Sequence, residues 1–166
     1  MTKCAWRGKA MMALALTLVI LAGLPASAQQ STTGRTTMKD ADTIIIDGRQ
    51  FRLWGIDAPE GDQTCRRDRR SWECGAEATQ ALGRLIGRNT VTCRTLELDR
   101  YRRDVALCYL GGEEINRWMV TQGWAVAYRQ FSEAYVPEED QARAARRGLW
   151  SGTFVMPSDW RKGHRR

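Results

Sequence analysis

Between Asp40 and Glu60 the chain reads D-A-D-T-I-I-I-D-G-R-Q-F-R-L-W-G-I-D-A-P-E, with carboxylates at Asp40, Asp42, Asp57 and Glu60 and a guanidinium at Arg52. Hydrolysis of a phosphodiester needs a cation to hold and polarise the phosphate. It also needs a base for the attacking water and positive charge facing the five-coordinate phosphorus. Asp42 and Asp57 are hard-oxygen ligands suited to such a cation, with Asp40 in support. Glu60 follows Asp57 by three residues, where it can orient or deprotonate a water. Arg52 precedes Asp57 by five residues, and its planar fork grips two phosphate oxygens at once, which lysine does less well. The same acids and arginine would also furnish an ordinary charged surface, so their order and placement must decide.

The elements around them supply that placement. Thr43–Ile46 is β-branched throughout and reads as a buried strand. Asp47-Gly48 predicts a tight hairpin turn, and Gln50–Ile56 returns as the next strand. Phe51 and Leu53 then face one side, and Arg52, Trp54 and Ile56 the other, until Pro59 ends the ladder. This reading puts Arg52 and Asp57 along one strand.

The rest of the chain must complete the scaffold. Residues 29–35 are polar and read as a loose start, with a first strand from about Arg35 and Met38 as its core contact. Gly61–Glu73 reads as a charged loop carrying Arg66, Arg67, Arg69 and Arg70, either a solvated face or a basic lip beside a nucleic-acid groove. Gly75–Arg88 predicts a helix, with Ala78, Leu82, Leu85 and Ile86 on one face. Thr90–Leu98 and Arg103–Leu110 predict an antiparallel pair, and Glu113–Gln122 and Pro137–Arg147 predict two more helices. The tail, 161–166, is basic and reads as a solvated end. This order gives an α+β fold with a mainly β core: a five-stranded OB-fold-like barrel with about three packed helices.

Residues 1–28 stand apart. Lys3, Arg7 and Lys9 precede an apolar run from Met11 to Leu24, and Pro25-Ala26-Ser27-Ala28 supplies the small residues of a signal-peptide cleavage site before Gln29. The run is short of the roughly 20 apolar residues that span a bilayer. Residues 29–166 then form a single exported domain, secreted or periplasmic, with no membrane association and as a monomer. The leader removes three basic residues, which lowers the net charge from +7 to +4, a balance that suits a polyanionic partner or a plain soluble surface.

Four cysteines remain after the leader, and in an exported chain an even number predicts disulfides, here with three possible connectivities. Cys65 and Cys74 bracket the charged loop. A turn centred between Arg100 and Tyr101 sets Cys93 directly opposite Cys108. The favoured pairs are therefore Cys65–Cys74 and Cys93–Cys108; a four-cysteine zinc site is the competitor, without a C-x-x-C pair to start it.

The ordered combination D-A-D-T, R-L-W-G-I-D-A-P-E and, at Asp99–Arg103, D-R-Y-R-R resembles the staphylococcal-nuclease-like (thermonuclease) family. That family carries D-G-D-T, R-L-x-G-I-D-x-P-E and D-x-Y-G-R, and the likeness runs from about Asp40 to Trp150. The resemblance implies Arg52, Glu60 and Arg103 as catalytic residues. It implies Ca2+ held by Asp42, Asp57 and the backbone carbonyl of Ala58, with Asp40 supporting from behind. Tyr101 and Tyr128 fall where the family places aromatics near the bound nucleotide. The implied reaction is Ca2+-dependent cleavage of DNA and RNA to 3′-phosphate products. A non-catalytic nucleic-acid-binding module on the same barrel is the competing reading. Two positions depart from the pattern. Ala41 stands where the family has Gly, and a positive φ there would strain the loop by roughly 1 kcal/mol. Arg102 replaces Gly in the turn before Arg103.

Overall fold

The computed structural model describes residues 30–165, so the leader and its cleavage point lie outside the described residues. Along the chain the elements are β1 (Ser31–Asp40), β2 (Thr43–Ile46), β3 (Arg49–Leu53), β4 (Ile56–Asp57), β5 (Cys65–Arg67), β6 (Arg70–Trp72) and α1 (Cys74–Ile86). They continue with β7 (Thr90–Leu98), β8 (Asp104–Leu110), β9 (Glu113–Glu114), α2 (Ile115–Thr121), β10 (Val126–Ala127), α3 (Val136–Ala144), a 3-10 turn at Gly148–Ser151 and α4 (Pro157–Arg161).

Five strands close on themselves in the order β3-β2-β1-β7-β8, and β8 returns parallel to β3 with Phe51 beside Asp104. This is the OB-like barrel expected from the element order, and closure removes every open edge of its wall. β1 starts four residues before Arg35. Backbone pairing fixes that start, since Ser31–Arg35 bond to Arg94–Thr90 while the far half of the strand pairs with β2. The β2–β3 turn holds Asp47 at φ 49° and Gly48 at φ 79°, the twist-matched turn that a D-G pair favours. Ile44, Ile46, Phe51, Leu53, Val91 and Ala106 fill the barrel. Each large apolar side chain buried there stabilises by about 1.5–3 kcal/mol. α1 lays Ala78, Leu82 and Ile86, spaced one turn apart, against this core, and α2 adds Ile115 and Met119.

Three local departures from the sequence reading matter for the site. The strand after Asp47-Gly48 ends at Leu53, because Gly55 takes φ 73° and turns the chain away. Ile56 and Asp57 then leave the barrel wall and pair with Ala127 and Val126 of β10. Arg52 and Asp57 therefore sit on different strands, and Ile56 joins the core. The buried Asn116 holds this turn: its amide donates to the carbonyls of Trp54 (3.0 Å) and Ala106 (3.1 Å) and its oxygen accepts from Cys108 N–H. Second, the charged stretch after Glu60 is the β5–β6 hairpin. Third, the basic tail begins inside α4, with Trp160 buried.

Both disulfides, Cys65–Cys74 and Cys93–Cys108, are formed. Cys93 does oppose Cys108, but by a different route from the one expected. The pairs Glu97–Val105 and Leu98–Asp104 centre the turn on Tyr101, and a bulge between Thr95 and Glu97 shifts the register by one. No helix among the described residues is long and apolar enough to cross a membrane.

Candidate active site

Asp42 is the second residue of the turn between β1 and β2 and is almost completely buried, as is Asp57 on β4. The Arg52 guanidinium, on β3, lies between them. Nη1 donates to Asp42 Oδ1 and Nη2 to Asp57 Oδ1 at 3.2 Å. Ala58 N–H donates to Asp42 Oδ2 at 3.1 Å, and Thr43 Oγ1 to Asp42 Oδ1 at 3.3 Å. Asp40 accepts from the Asp42 N–H at 3.2 Å, and Leu53 N–H donates to the Asp42 carbonyl at 2.8 Å. Asp42 is thus held by β1, β3 and the strand end after β4. Asp57 owes its place to the Gly55 turn and β10.

Glu60 lies on the turn beyond Pro59. Gln63, fully buried, accepts from Glu60 N–H through its side chain, donates to the Val155 carbonyl at 2.7 Å, and donates its backbone N–H to the Glu60 carbonyl. Gly75 permits α1 to pack on this turn, since a Cβ there would overlap the Glu60 carbonyl oxygen. The Glu60 side chain is claimed from an unexpected direction. Arg161 of α4 donates Nη1 to Glu60 Oε1 at 2.8 Å and Nη2 to Asp57 Oδ2 at 3.1 Å. The end of the chain therefore reaches into the site. The sequence reading missed Arg161 and Gln63; the one available signal was Trp160, a large apolar residue in a basic tail, which packs with its Nε1 toward Asp62.

Arg103 is not in contact with these carboxylates. Its N–H and Nε donate to Asp99 at 2.9 and 2.7 Å. It immediately precedes Asp104, the partner of Phe51, so it stands next to Gln50, two residues along β3 from Arg52. Tyr101 is exposed, with the guanidiniums of Arg100 and Arg103 near its ring at 4.8 and 5.5 Å. An open groove between the two barrel hairpins is lined by Lys39, Arg49, Gln50, Tyr101, Arg102 and Arg103. Tyr128 lies elsewhere: its N–H donates to Gly55 O at 2.9 Å and its ring packs on Phe131 at 4.7 Å, over the turn that precedes Asp57.

Burial governs the charges. It pushes the Asp42 carboxyl up to about 7 from an ordinary 3.8, against the pull of Arg52 and with help from the Asp40 charge. Burial also raises Asp57, although Arg161 and Arg52 both favour its ionised form. Burial works against the charge of Arg161, but its bonds to Asp57 and Glu60 outweigh that and hold its pKa above the ordinary value. At Asp99 slight burial works against the charge, and the hydrogen bonds from Arg103 and Tyr101 overcome it and hold the carboxyl low.

The donors near Arg52 are all oxygens. Asp42 and Asp57 converge on one cationic group, the Arg52 guanidinium, which suits them to share a hard divalent ion. Among the described residues no three acids, histidines or cysteines form a cage by themselves, so further oxygens would have to come from backbone, substrate or water. The two departures from the expected motif differ in consequence. Ala41 is buried and keeps φ out of the left-handed region, so the strain anticipated there does not arise. Arg102 takes φ 62°, the conformation in which Gly would be unstrained.

Residues 50–152 match the family model described as staphylococcal nuclease homologue. The chain is 32% identical over 154 residues to an uncharacterized endonuclease of Haemophilus influenzae, covering 87% of this chain and 82% of that protein. It is 34% identical over 134 residues to an uncharacterized endonuclease of Escherichia coli O157:H7, covering 76% and 81%. A succinoglycan biosynthesis protein, ExoI, of Rhizobium meliloti is 32% identical over 129 residues, covering 75% and 68%.

Proposed function

The chain belongs to the staphylococcal nuclease homologue family and is a nuclease; from that premise we propose an exported, Ca2+-dependent enzyme that cleaves DNA and RNA on the 5′ side of the phosphate and leaves 3′-phosphate ends. The observation that carries this reading is the convergence of Asp42 and Asp57 on one cationic group, with Glu60 joined to Asp57 through Arg161. Asp42, Asp57 and the Ala58 carbonyl would hold the ion, and Asp40 steadies Asp42 through its backbone N–H. When bound, Ca2+ supplies positive charge that polarises the phosphate.

The remaining work falls to side chains. Arg52 presents two nitrogens in a planar fork, the geometry that pairs with two phosphate oxygens. Arg103, just before β8 and beside Gln50, adds a second guanidinium once it is released from Asp99. Together they face the charge that grows as phosphorus becomes five-coordinate. Glu60 is partly open to solvent and takes a proton from the attacking water. Arg161 fixes the direction of the Glu60 carboxylate, and Gln63 fixes the turn beneath it. Tyr101 and Tyr128 offer ring faces to flanking bases. Export is supported by the leader pattern of 1–28 and by two disulfides, which persist in an oxidising compartment. Residues 29–166 would then act as one domain and as a monomer.

The test is to digest single-stranded DNA and RNA oligonucleotides with residues 29–166 in Ca2+ and to weigh the products by mass spectrometry. Fragments of both ending in 3′-phosphate are expected. Fragments with 5′-phosphate would overturn the direction of attack, and uncut oligonucleotides would overturn the activity.

A further inference from the structure

The β5–β6 hairpin concentrates charge in a way that the fold alone does not reward. It carries Arg66, Arg67, Arg69 and Arg70, with Asp68 as its one acid. Register sets Arg67 directly opposite Arg70, and like charges facing across a strand pair destabilise it. The two turn residues, Asp68 and Arg69, hold φ at 50° and 64°, where Asn-Gly is the favourable pair. Among the described residues none of the four arginines forms an ion pair. The Arg67 guanidinium lies 4.2 Å from the Trp72 ring centroid, and its Nε is buried without a hydrogen-bond partner.

Other interactions hold this arrangement in place. Cys65–Cys74 closes the base of the hairpin. Arg66 exchanges two backbone hydrogen bonds with Thr153, at 2.9 and 2.8 Å. Cys65, Cys74 and Trp72 share a small core with Val126, the strand partner of Asp57. The chain leaves Glu60 only five residues before Cys65, and Gly75 returns to pack on the Glu60 carbonyl. A rigid, strained and self-repelling finger is therefore built onto the turn that bears Glu60.

We propose that the β5–β6 hairpin is a binding site for the phosphate backbone of the nucleic-acid strand, engaging phosphates away from the one being cut. This rests on the nuclease reading. Arg66, Arg69 and Arg70 are exposed and offer charge to a polyanion that supplies what the protein itself withholds. The disulfide pre-organises them, so little ordering entropy opposes binding. A lipid surface would satisfy the same charges, but the covalent link to the Glu60 turn favours the strand.

The experiment measures binding of a fluorescein-labelled oligothymidylate to residues 29–166 in chelator, from 50 to 200 mM salt. The parent is compared with the double variant Arg69→Gln, Arg70→Gln and with Arg84→Gln, Arg88→Gln, two exposed charges in the last turn of α1 and just beyond it. The hairpin variant should lose affinity roughly tenfold at 50 mM salt and lower the slope of log K against log salt by about 1.4, or 0.7 for each contact removed. The α1 variant should match the parent. Because the hairpin variant removes the Arg67–Arg70 repulsion, its melting temperature should hold or rise. An unchanged slope, an equal loss in the α1 variant, or a fall in melting temperature together with lost binding would overturn the proposal. So would loss of binding to phosphatidylglycerol vesicles with oligonucleotide binding intact. A parent that binds no oligonucleotide at any salt fails the nuclease reading itself.

Discussion

Replacing Asp42 by Asn should change how the stability of the metal-free protein depends on pH. Asp42 is about 2% exposed and its carboxyl is pushed up to about 7, from an ordinary 3.8. Between those values the folded chain keeps a proton that the unfolded chain has lost. The stability associated with the protonated form is complete below pH 3.8 and is lost as pH rises through about 7. At 1.36 kcal/mol per pKa unit, the upward shift is worth up to about 4 kcal/mol. The variant has no carboxylate to ionise, yet it keeps an oxygen to accept from Ala58 N–H. Urea unfolding in chelator, followed by tryptophan fluorescence from pH 4 to 8, reads the difference. The wild type should fall relative to Asp42→Asn by as much as about 4 kcal/mol across this range. Parallel curves for the two proteins would refute the claim that Asp42 is buried at a cost and made ready for a metal.

Two further outcomes follow from named contacts. Arg161→Gln removes charge-assisted bonds to Glu60 and Asp57, each kind worth about 1.5–3 kcal/mol before solvent screening. Its kcat should fall roughly tenfold with KM within about threefold, and Arg161→Lys should restore part of the loss; an unchanged kcat would return Arg161 to the solvated tail. Replacing both Cys93 and Cys108 by Ala removes a crosslink over 15 residues and should lower stability by about 3 kcal/mol in urea, whereas an unchanged midpoint would show that the barrel wall needs no staple.

The barrel was legible where local signals were strong. Thr43–Ile46 and Asp47-Gly48 carry strand and turn chemistry in adjacent residues, and the hairpin forms as they require. The 3.6-residue pattern of Ala78, Leu82 and Ile86 likewise sufficed for α1. What escaped depends on distant partners. The turn at Gly55 is settled by β10, about seventy residues downstream, and by Asn116, so local signals alone extend the strand to Ile56. The β5–β6 hairpin has neither alternating apolar residues nor a glycine turn, and its ordering comes from the Cys65–Cys74 bridge and Thr153. α4 is one turn of helix held by Trp160, and Arg161 reaches carboxylates about one hundred residues upstream. A symmetric turn between Arg100 and Tyr101 predicts the Cys93–Cys108 pairing, whereas the chain achieves it with a turn centred on Tyr101 and a bulge. Backbone conformation also reassigns the motif departures: the left-handed residue is Arg102, while Ala41 is unstrained.

The most direct measurement is the initial rate at which a 5′-labelled single-stranded DNA is cut as Ca2+ is titrated, for wild type and for Glu60→Gln. The rate should saturate with Ca2+, vanish in chelator, and drop at least a hundredfold in Glu60→Gln. Cleavage indifferent to Ca2+, or a Glu60→Gln variant as fast as wild type, would contradict the mechanism.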